Sequence, residues 1–312
     1  MLGLLGMAGL GFAASRLRRQ APVAEPTRRP RRRPRPIAAP VQRLELPDDA
    51  ELVWLPAPDG SIAVAERNAA AKRTVLFVHG LGGMLEQWAP QLAALPPSVH
   101  GLAVDLPGHG RSDRPETVTV AGLAGALAAA LDGVSARRAI LVAHSFGALP
   151  ALAYAARHPS RVEALLLIDP NGDQSRIGAA DRRALLDAVR ADAHGELEWT
   201  WRQLLADSAP AVAKEILTQL RATPPPMLLG CLEAAFSHSP LDDLDRLEVP
   251  VHLALSPLND LPYSLQRLRP DLPLRILRGG HWLMLDRPDD VTRLLDELLA
   301  RVAPAARRPA RR

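Results

Sequence analysis

Six short apolar runs constrain this chain of 312 residues more than any other feature. They are "RTVLFVHG" (73–80), "VHGLAVDLPG" (99–108), "RAILVAHS" (138–145), "VEALLLIDP" (162–170), "VPVHLALSP" (249–257) and "LPLRILRGGH" (272–281). None alternates apolar with polar residues, as a sheet with one wet face requires. Continuous apolar strands belong to a parallel sheet covered on both faces. Glycine-rich turns or segments with apolar residues at helical spacing, such as 121–132, 146–157 and 289–302, separate or follow the runs. "ELVWL" and "SIAVAER" flank a "PDG" turn and read as an antiparallel hairpin. The expected fold class is α/β, a doubly wound and mostly parallel sheet.

From about residue 172 to 245 the rhythm breaks. Helical patterns such as "RRALLDAVRADA" and "AVAKEILTQLRA" appear there, and no strand does. An insertion of that length is rarely structureless. A helical cap over the C-terminal edge of the strands is expected, where open α/β sheets bind ligands.

Charge divides the chain into three parts. Residues 16–43 hold ten Arg and one Glu, and residues 301–312 hold five Arg and no acid. Of the net charge of +4, these segments carry +9 and +5, which leaves 4 − 14 = −10 for residues 44–300. The basic segments alternate Arg with Pro and cannot bury a core, so they read as disordered. With an acidic body, no nucleic-acid partner is expected. The first fifteen residues, "MLGLLGMAGLGFAAS", are apolar, followed by "RLRR". They fall short of the roughly 20 residues that span a bilayer, and the charges lie on the wrong side for a secretory signal. A weak membrane association through this segment, with a cytoplasmic body, is the expectation. The domain plan is therefore 1–43 as apolar segment and Arg/Pro-rich linker, 44–302 as the globular domain, and 303–312 as a basic tail. The single cysteine, Cys231, excludes an internal disulfide framework.

Ser145 stands where a strand turns into a helix, in the frame Ala143-His144-Ser145-Phe146-Gly147. A nucleophile needs such a turn, with small residues two before and two after it because strand and helix backbones come close. Ala143 and Gly147 meet that need. A serine also needs a base. Of nine histidines, His281 follows the last apolar run and the pair Gly279-Gly280, which let the chain bend over the sheet edge. His144 packs or bonds locally, and His79 supports its loop. The orienting acid has two candidates. Asp260 follows "VHLALS" and is preferred; Asp169 ends "LLLIDP" and also reads as a turn aspartate before Pro170. "FVHGLGG" (77–83) permits a tight turn that, with the helix behind Ser145, supplies the Leu81 and Phe146 amides as oxyanion donors. It lacks the endings of a phosphate loop. The histidines lack metal spacing, and neither metal nor organic cofactor is expected.

With "HGLGG", "DLPGHGRSD" (105–113), "AHSFGA", "LLLIDP" and "GGHWLMLDRP" (279–288) in this order, the chain resembles the α/β-hydrolase superfamily over roughly residues 45–302. The resemblance implies a serine-hydrolase branch with a helical cap and a Ser…Asp…His order, matching Ser145, Asp260 and His281. It departs in Ala143, usually glycine, and in the acid segment "LALSPLND", with Ser256 for a glycine and Asn259 where the acid is expected. The implied activity is hydrolysis of a small-molecule carboxylic ester or thioester with a small to medium acyl group. Trp199, Trp201, Met227, Leu228 and Phe236 offer apolar side chains for a pocket. A lyase or perhydrolase on the same residues, and a binding protein with little turnover, are the alternatives.

Overall fold

The computed structural model describes residues 44–302. The apolar N-terminal segment with its Arg/Pro linker (1–43) and the basic tail (303–312) lie outside the described residues. Each apolar run becomes a strand. The strands are β1 (Glu51–Ala57), β2 (Gly60–Arg67), β3 (Arg73–Val78), β4 (Val99–Val104), β5 (Ala139–His144), β6 (Val162–Ile168), β7 (Val251–Leu255) and β8 (Leu274–Ile276). They form one sheet in the order β1-β2-β4-β3-β5-β6-β7-β8. The expected hairpin is β1 with β2, which pairs antiparallel to β4; every later pairing is parallel. The middle strands β4 and β5 are buried at every residue, which is why their sequences show no alternation.

Helices α1 (Ala89–Ala94), α2 (Val120–Gly133) and α3 (Ala148–Arg157) connect the first strands. Thr119 caps α2, its hydroxyl accepting the Gly122 N–H at 3.0 Å. Between β6 and β7 the chain forms five helices and no strand. They are α4 (Ala179–Ala191), α5 (Ala193–Leu204), α6 (Pro210–Ala222), α7 (Pro225–Phe236) and α8 (Pro240–Leu244). Prolines at N1 or N2 open α6, α7 and α8, where the missing N–H has no partner to lose. After β7 come α9 (Leu265–Leu268), β8, α10 (Leu283–Asp286) and α11 (Pro288–Arg301). No helix among the described residues is long and apolar enough to cross a membrane.

Register decides what meets at the sheet edge. Val78 lies beside Ala143, His144 beside Ile168, Ile168 beside Ala254, and Leu255 beside Ile276. The central strands therefore end nearly level. The residues that follow them, His79, Ser145, Asp169 and Ser256, leave the sheet along one edge.

Ser145 is held at φ 50°, a left-handed conformation that disfavours any side chain larger than glycine's. The turn brings Gly147 against β3: a Cβ there would lie 2.3 Å from the His79 carbonyl oxygen. Gly147→Ala should therefore destabilise the fold by about 3 kcal/mol or distort the turn. Ala143→Gly should lose at most about 1 kcal/mol. Urea unfolding of both variants checks the contrast.

Three buried titratable groups are gathered at the 105–113 loop, Asp105 and His109 within it and His79 bonded to it. Burial lowers His79 to about 3, with His109 beside it adding to the effect, and burial lowers His109 to about 4. Burial raises Asp105 to about 6, although the N–H groups of Arg111 and Leu85 oppose it. Unfolded histidine titrates near 6.5 and unfolded aspartate near 3.9. The histidine contributions are thus present above about pH 6.5 and lost as pH falls towards 4 and 3. The Asp105 contribution runs the other way and is lost as pH rises through about 6. Between about pH 4 and 6 the unfolded chain takes up two protons that the native histidines refuse, and the native Asp105 keeps one that the unfolded chain releases. Stability should therefore fall on acidification below about pH 6.5, by about 1.4 kcal/mol per pH unit for each net proton. Urea midpoints from pH 7.5 to 5 test this, and His109→Gln should flatten the slope.

Candidate active site

At the sheet edge three side chains connect in line. Ser145 Oγ lies 2.9 Å from His281 Nε2. His281 Nδ1 lies 3.0 Å from Asp169 Oδ2. A carboxylate only accepts, so Nδ1 carries the proton and Nε2 is left to accept from the serine hydroxyl. All three residues are buried.

The acid is where the structure corrects the sequence reading. Asp260, the preferred candidate, points to solvent and pairs with Arg267 at 2.6 and 2.9 Å. Its side chain is 63% exposed, and the bond to Arg267 holds its carboxyl below the usual range. Asp169, the second candidate, occupies the place beside His281. The reason lies in chain length past the strand. Asp169 is the first residue after β6, turned back by a left-handed φ of 42°, whereas Asp260 comes five residues after β7.

The end of β7 serves Asp169 instead. Ser256 gives the carboxylate its N–H at 2.6 Å and its hydroxyl at 2.5 Å. Asn259, at the position where the acid was expected, donates its amide to the Pro170 carbonyl at 3.0 Å. Ser264 in turn donates its hydroxyl to Asn259 Oδ1 at 2.9 Å. The two departures in this segment, Ser256 and Asn259, were the available signal that the carboxylate beside His281 comes from β6 rather than β7.

The glycine loop after β3 lies against Ser145. A Cβ on Gly80 would stand 3.0 Å from Ser145 Cβ. Gly82 takes φ 67°, and the Gly83 N–H closes the turn on the Gly80 carbonyl at 3.1 Å. His79 fixes this loop: its Nδ1–H donates to the Gly80 carbonyl at 2.7 Å, and its Nε2 accepts the Leu106 N–H at 3.0 Å. Both ring nitrogens are engaged and the ring stays neutral, so His79 is a support. Leu81 and Phe146 flank Ser145 on the wall of a single cavity. His144 packs against His281 with ring centroids 4.7 Å apart. Its Nε2–H donates to the His281 carbonyl at 3.1 Å, and burial, then His281, push its pKa well down.

A cavity partly open to solvent lies between this edge and the helices α4, α5 and α7. Leu185, Leu197, Trp201, Leu204, Leu232 and Phe236 supply its apolar wall. Asn171, Gln174 and Thr200 are its polar wall residues beside Ser145 and His281. Among the described residues, no Asp, Glu, Lys or Arg lines it. Trp199, Met227 and Leu228 are not on this wall. Met227 and Leu228 are buried instead, Met227 with its sulfur against Gly108. Asn171 and Gln174 were not singled out by sequence; small polar residues after a strand carry no signal of their own.

The helices above the cavity bond directly to the loop that carries His281. The His281 N–H donates to the Leu204 carbonyl at 3.2 Å. Asp286 Oδ2 accepts from Ser208 Oγ at 2.8 Å and from the Gly280 N–H at 2.9 Å.

Comparison with known proteins agrees with this architecture. Among solved structures, the enol-lactonase of Burkholderia xenovorans LB400 superposes with a TM-score of 0.69 at 22% identity, covering 80% of this chain and 100% of its own. A thermophilic esterase of Thermogutta terrifontis gives 0.69 at 20% identity, covering 82% and 100%. Likenesses at this identity concern the fold. By sequence, the chain is 33% identical over 163 residues to the dihydrolipoyllysine-residue acetyltransferase component of an acetoin cleaving system from Cupriavidus necator. That match covers 52% of this chain and 42% of the relative, so the chain spans less than half of that protein's length. RutD of Caulobacter sp. (strain K31), a carbamate hydrolase by provisional name, is 29% identical over 241 residues, covering 71% of this chain and 88% of its own. Residues 75–294 match the sequence profile of the alpha/beta hydrolase family. The chain belongs to the alpha/beta hydrolase family.

Proposed function

We propose that this hydrolase cleaves uncharged carboxylic esters with an apolar acyl group of small to medium size, through an acyl-enzyme on Ser145. The carrying observation is the line Ser145–His281–Asp169 opening into a cavity walled by apolar side chains.

The parts of Ser145, His281 and Asp169 follow from their bonds, and those of Leu81 and Phe146 from their place beside Ser145. Ser145 Oγ attacks the ester carbon as its proton passes to His281 Nε2. Asp169 holds the imidazole with Nδ1 protonated and stabilises the imidazolium. The Leu81 and Phe146 amides receive the charge that develops on the carbonyl oxygen. His281 then gives its proton to the departing alcohol oxygen. In the second half a water attacks the acyl carbon, Nε2 takes its proton, and the proton returns to Oγ as the acid leaves.

The cavity wall supports the substrate class. An apolar acyl group gains roughly 0.8 kcal/mol for each methylene buried there. A carboxylate on the acyl chain would lose its hydration and meet no cation among the described residues of the wall.

With p-nitrophenyl esters, Ser145→Ala should abolish turnover, and Asp169→Asn should lower kcat about 10⁴-fold. Asp260→Asn should stay within about twofold, as expected for an exposed ion pair. Activity surviving Asp169→Asn but lost in Asp260→Asn would overturn the assignment of the acid. Across butyrate, hexanoate and octanoate, kcat/KM should rise until the cavity is filled. The ester of a dicarboxylic half-acid of matched length should be at least about 100-fold poorer, given a charge left without a partner. Trp201→Ala should move the optimum to a longer chain.

A further inference from the structure

We infer that Asn171 is a further catalytic residue, an amide N–H donor to the nucleophile oxygen itself; this rests on the hydrolase reading above. Asn171 follows the turn that carries Asp169. Its backbone N–H donates to the Ser145 carbonyl at 3.0 Å, which ties the two strand-end turns together. Its side-chain amide stands 3.3 Å from Ser145 Oγ, with Oδ1 on that side.

The proton count at Oγ decides which end of the amide belongs there. Asp169 requires the proton on His281 Nδ1, so Nε2 accepts, and it takes the one proton of the serine hydroxyl. Oδ1 would then face an oxygen with nothing left to donate. A half-turn of the amide brings Nδ2 to Oγ, a free lone pair receives an N–H, and the shape of the side chain is unchanged. Ser145 Oγ then donates to His281 and accepts from Asn171.

Such a donor acts twice in the cycle. In acylation the O–H bond breaks towards Nε2 while the Oγ–C bond forms, and Nδ2–H offsets the charge gathering on Oγ. In deacylation the Oγ–C bond breaks, Oγ leaves with the electron pair and recovers its proton from Nε2. The same N–H stabilises it as the departing oxygen. Asn171 also lines the cavity and, with Gln174 and His281, a neighbouring cleft behind Asp169, so the amide has room to turn. Both halves of the reaction should therefore depend on it, whereas an oxyanion donor reads the carbonyl oxygen.

The test is stopped-flow hydrolysis of a p-nitrophenyl ester by wild type, Asn171→Ala and Asn171→Asp from pH 5.5 to 8. A fluorophosphonate probe, labelling Ser145, runs in parallel. The main-chain bond to Ser145 survives in both variants, and circular dichroism checks their folding. Asn171→Ala should slow both the burst and the steady-state rate by about 10- to 100-fold, as expected for a hydrogen bond to a charged group. Asn171→Asp should be at least as slow at pH 8, where it is an acceptor only. Relative to wild type it should recover as pH falls and the carboxyl gains an O–H. A purely structural role would give a ratio that does not recover. A negative charge that merely raised the pKa of His281 would make the ratio fall. Wild-type burst and steady-state rates in Asn171→Ala, or a ratio for Asn171→Asp that stays flat or falls on acidification, would overturn the role of Asn171 alone. A wild type that neither takes the probe nor turns over any ester would overturn the hydrolase reading and this inference with it.

Discussion

The buried carboxylate of Asp169 is the interaction on which the site depends. It is shut from water, yet its bonds come from two separate parts of the chain: Ser256 at the end of β7 and His281 in the loop after β8. Its own turn leaves β6. A buried charge is tolerable only when it is fully hydrogen-bonded, so none of these elements can shift without uncovering it. This fixes the tautomer of His281, and the tautomer fixes the direction of the hydroxyl on Ser145. One satisfied anion sets the proton order along the whole edge.

The backbone has conformations to match. Ser145 and Asp169 both adopt a left-handed φ without being glycine, and both follow directly on a strand. Each conformation costs of order 1 kcal/mol, offset by the surrounding sheet, whose core strands are completely buried. Strain of this kind holds side chains up at the edge rather than back in the sheet. Gly147 and Gly80 complete the arrangement by bringing backbone where a methyl group would collide. Ala143 shows that the position two before the serine tolerates one methyl, so the missing glycine in that frame does not disturb the turn.

How much of this was legible in the sequence follows from the range of each signal. Six of the eight strands were readable as continuous apolar runs, a local signal that is purest in the fully buried β4 and β5, and β1 and β2 as a hairpin about a turn. Ser145 and His281 were readable as a pair because strand-to-helix and glycine–histidine turns occur in the right order. The acid was not. Asp169 and Asp260 both follow strands, and what separates them is distance past the strand end and the hand of one turn, neither of which composition records. The exposed pair of Asp260 with Arg267 and the bracket of Ser256 around Asp169 are relations between segments far apart in sequence. Asn171 was illegible for a related reason: its meaning comes from the proton count at an oxygen 26 residues away.

The cap and the base form one mechanical unit. Leu204, at the end of α5, contributes both an apolar side chain to the cavity wall and the carbonyl that receives the His281 N–H. Ser208, beyond it, is joined through Asp286 to Gly280, the residue before the base. Asp286 is itself mostly buried, and burial raises its pKa, opposed by those two bonds. On the other side, Gln219 of α6 accepts the buried amide of Gln87 at 2.8 Å, and the neighbouring Leu220 packs on Gly82 of the glycine loop. The inserted helices are thus bonded to the loop of His281 through α5 and packed on the glycine loop through α6. A displacement of α5 relative to the loop of His281 breaks the hydrogen bond between them. The apolar wall of the cavity and the position of His281 therefore rest on the same contacts.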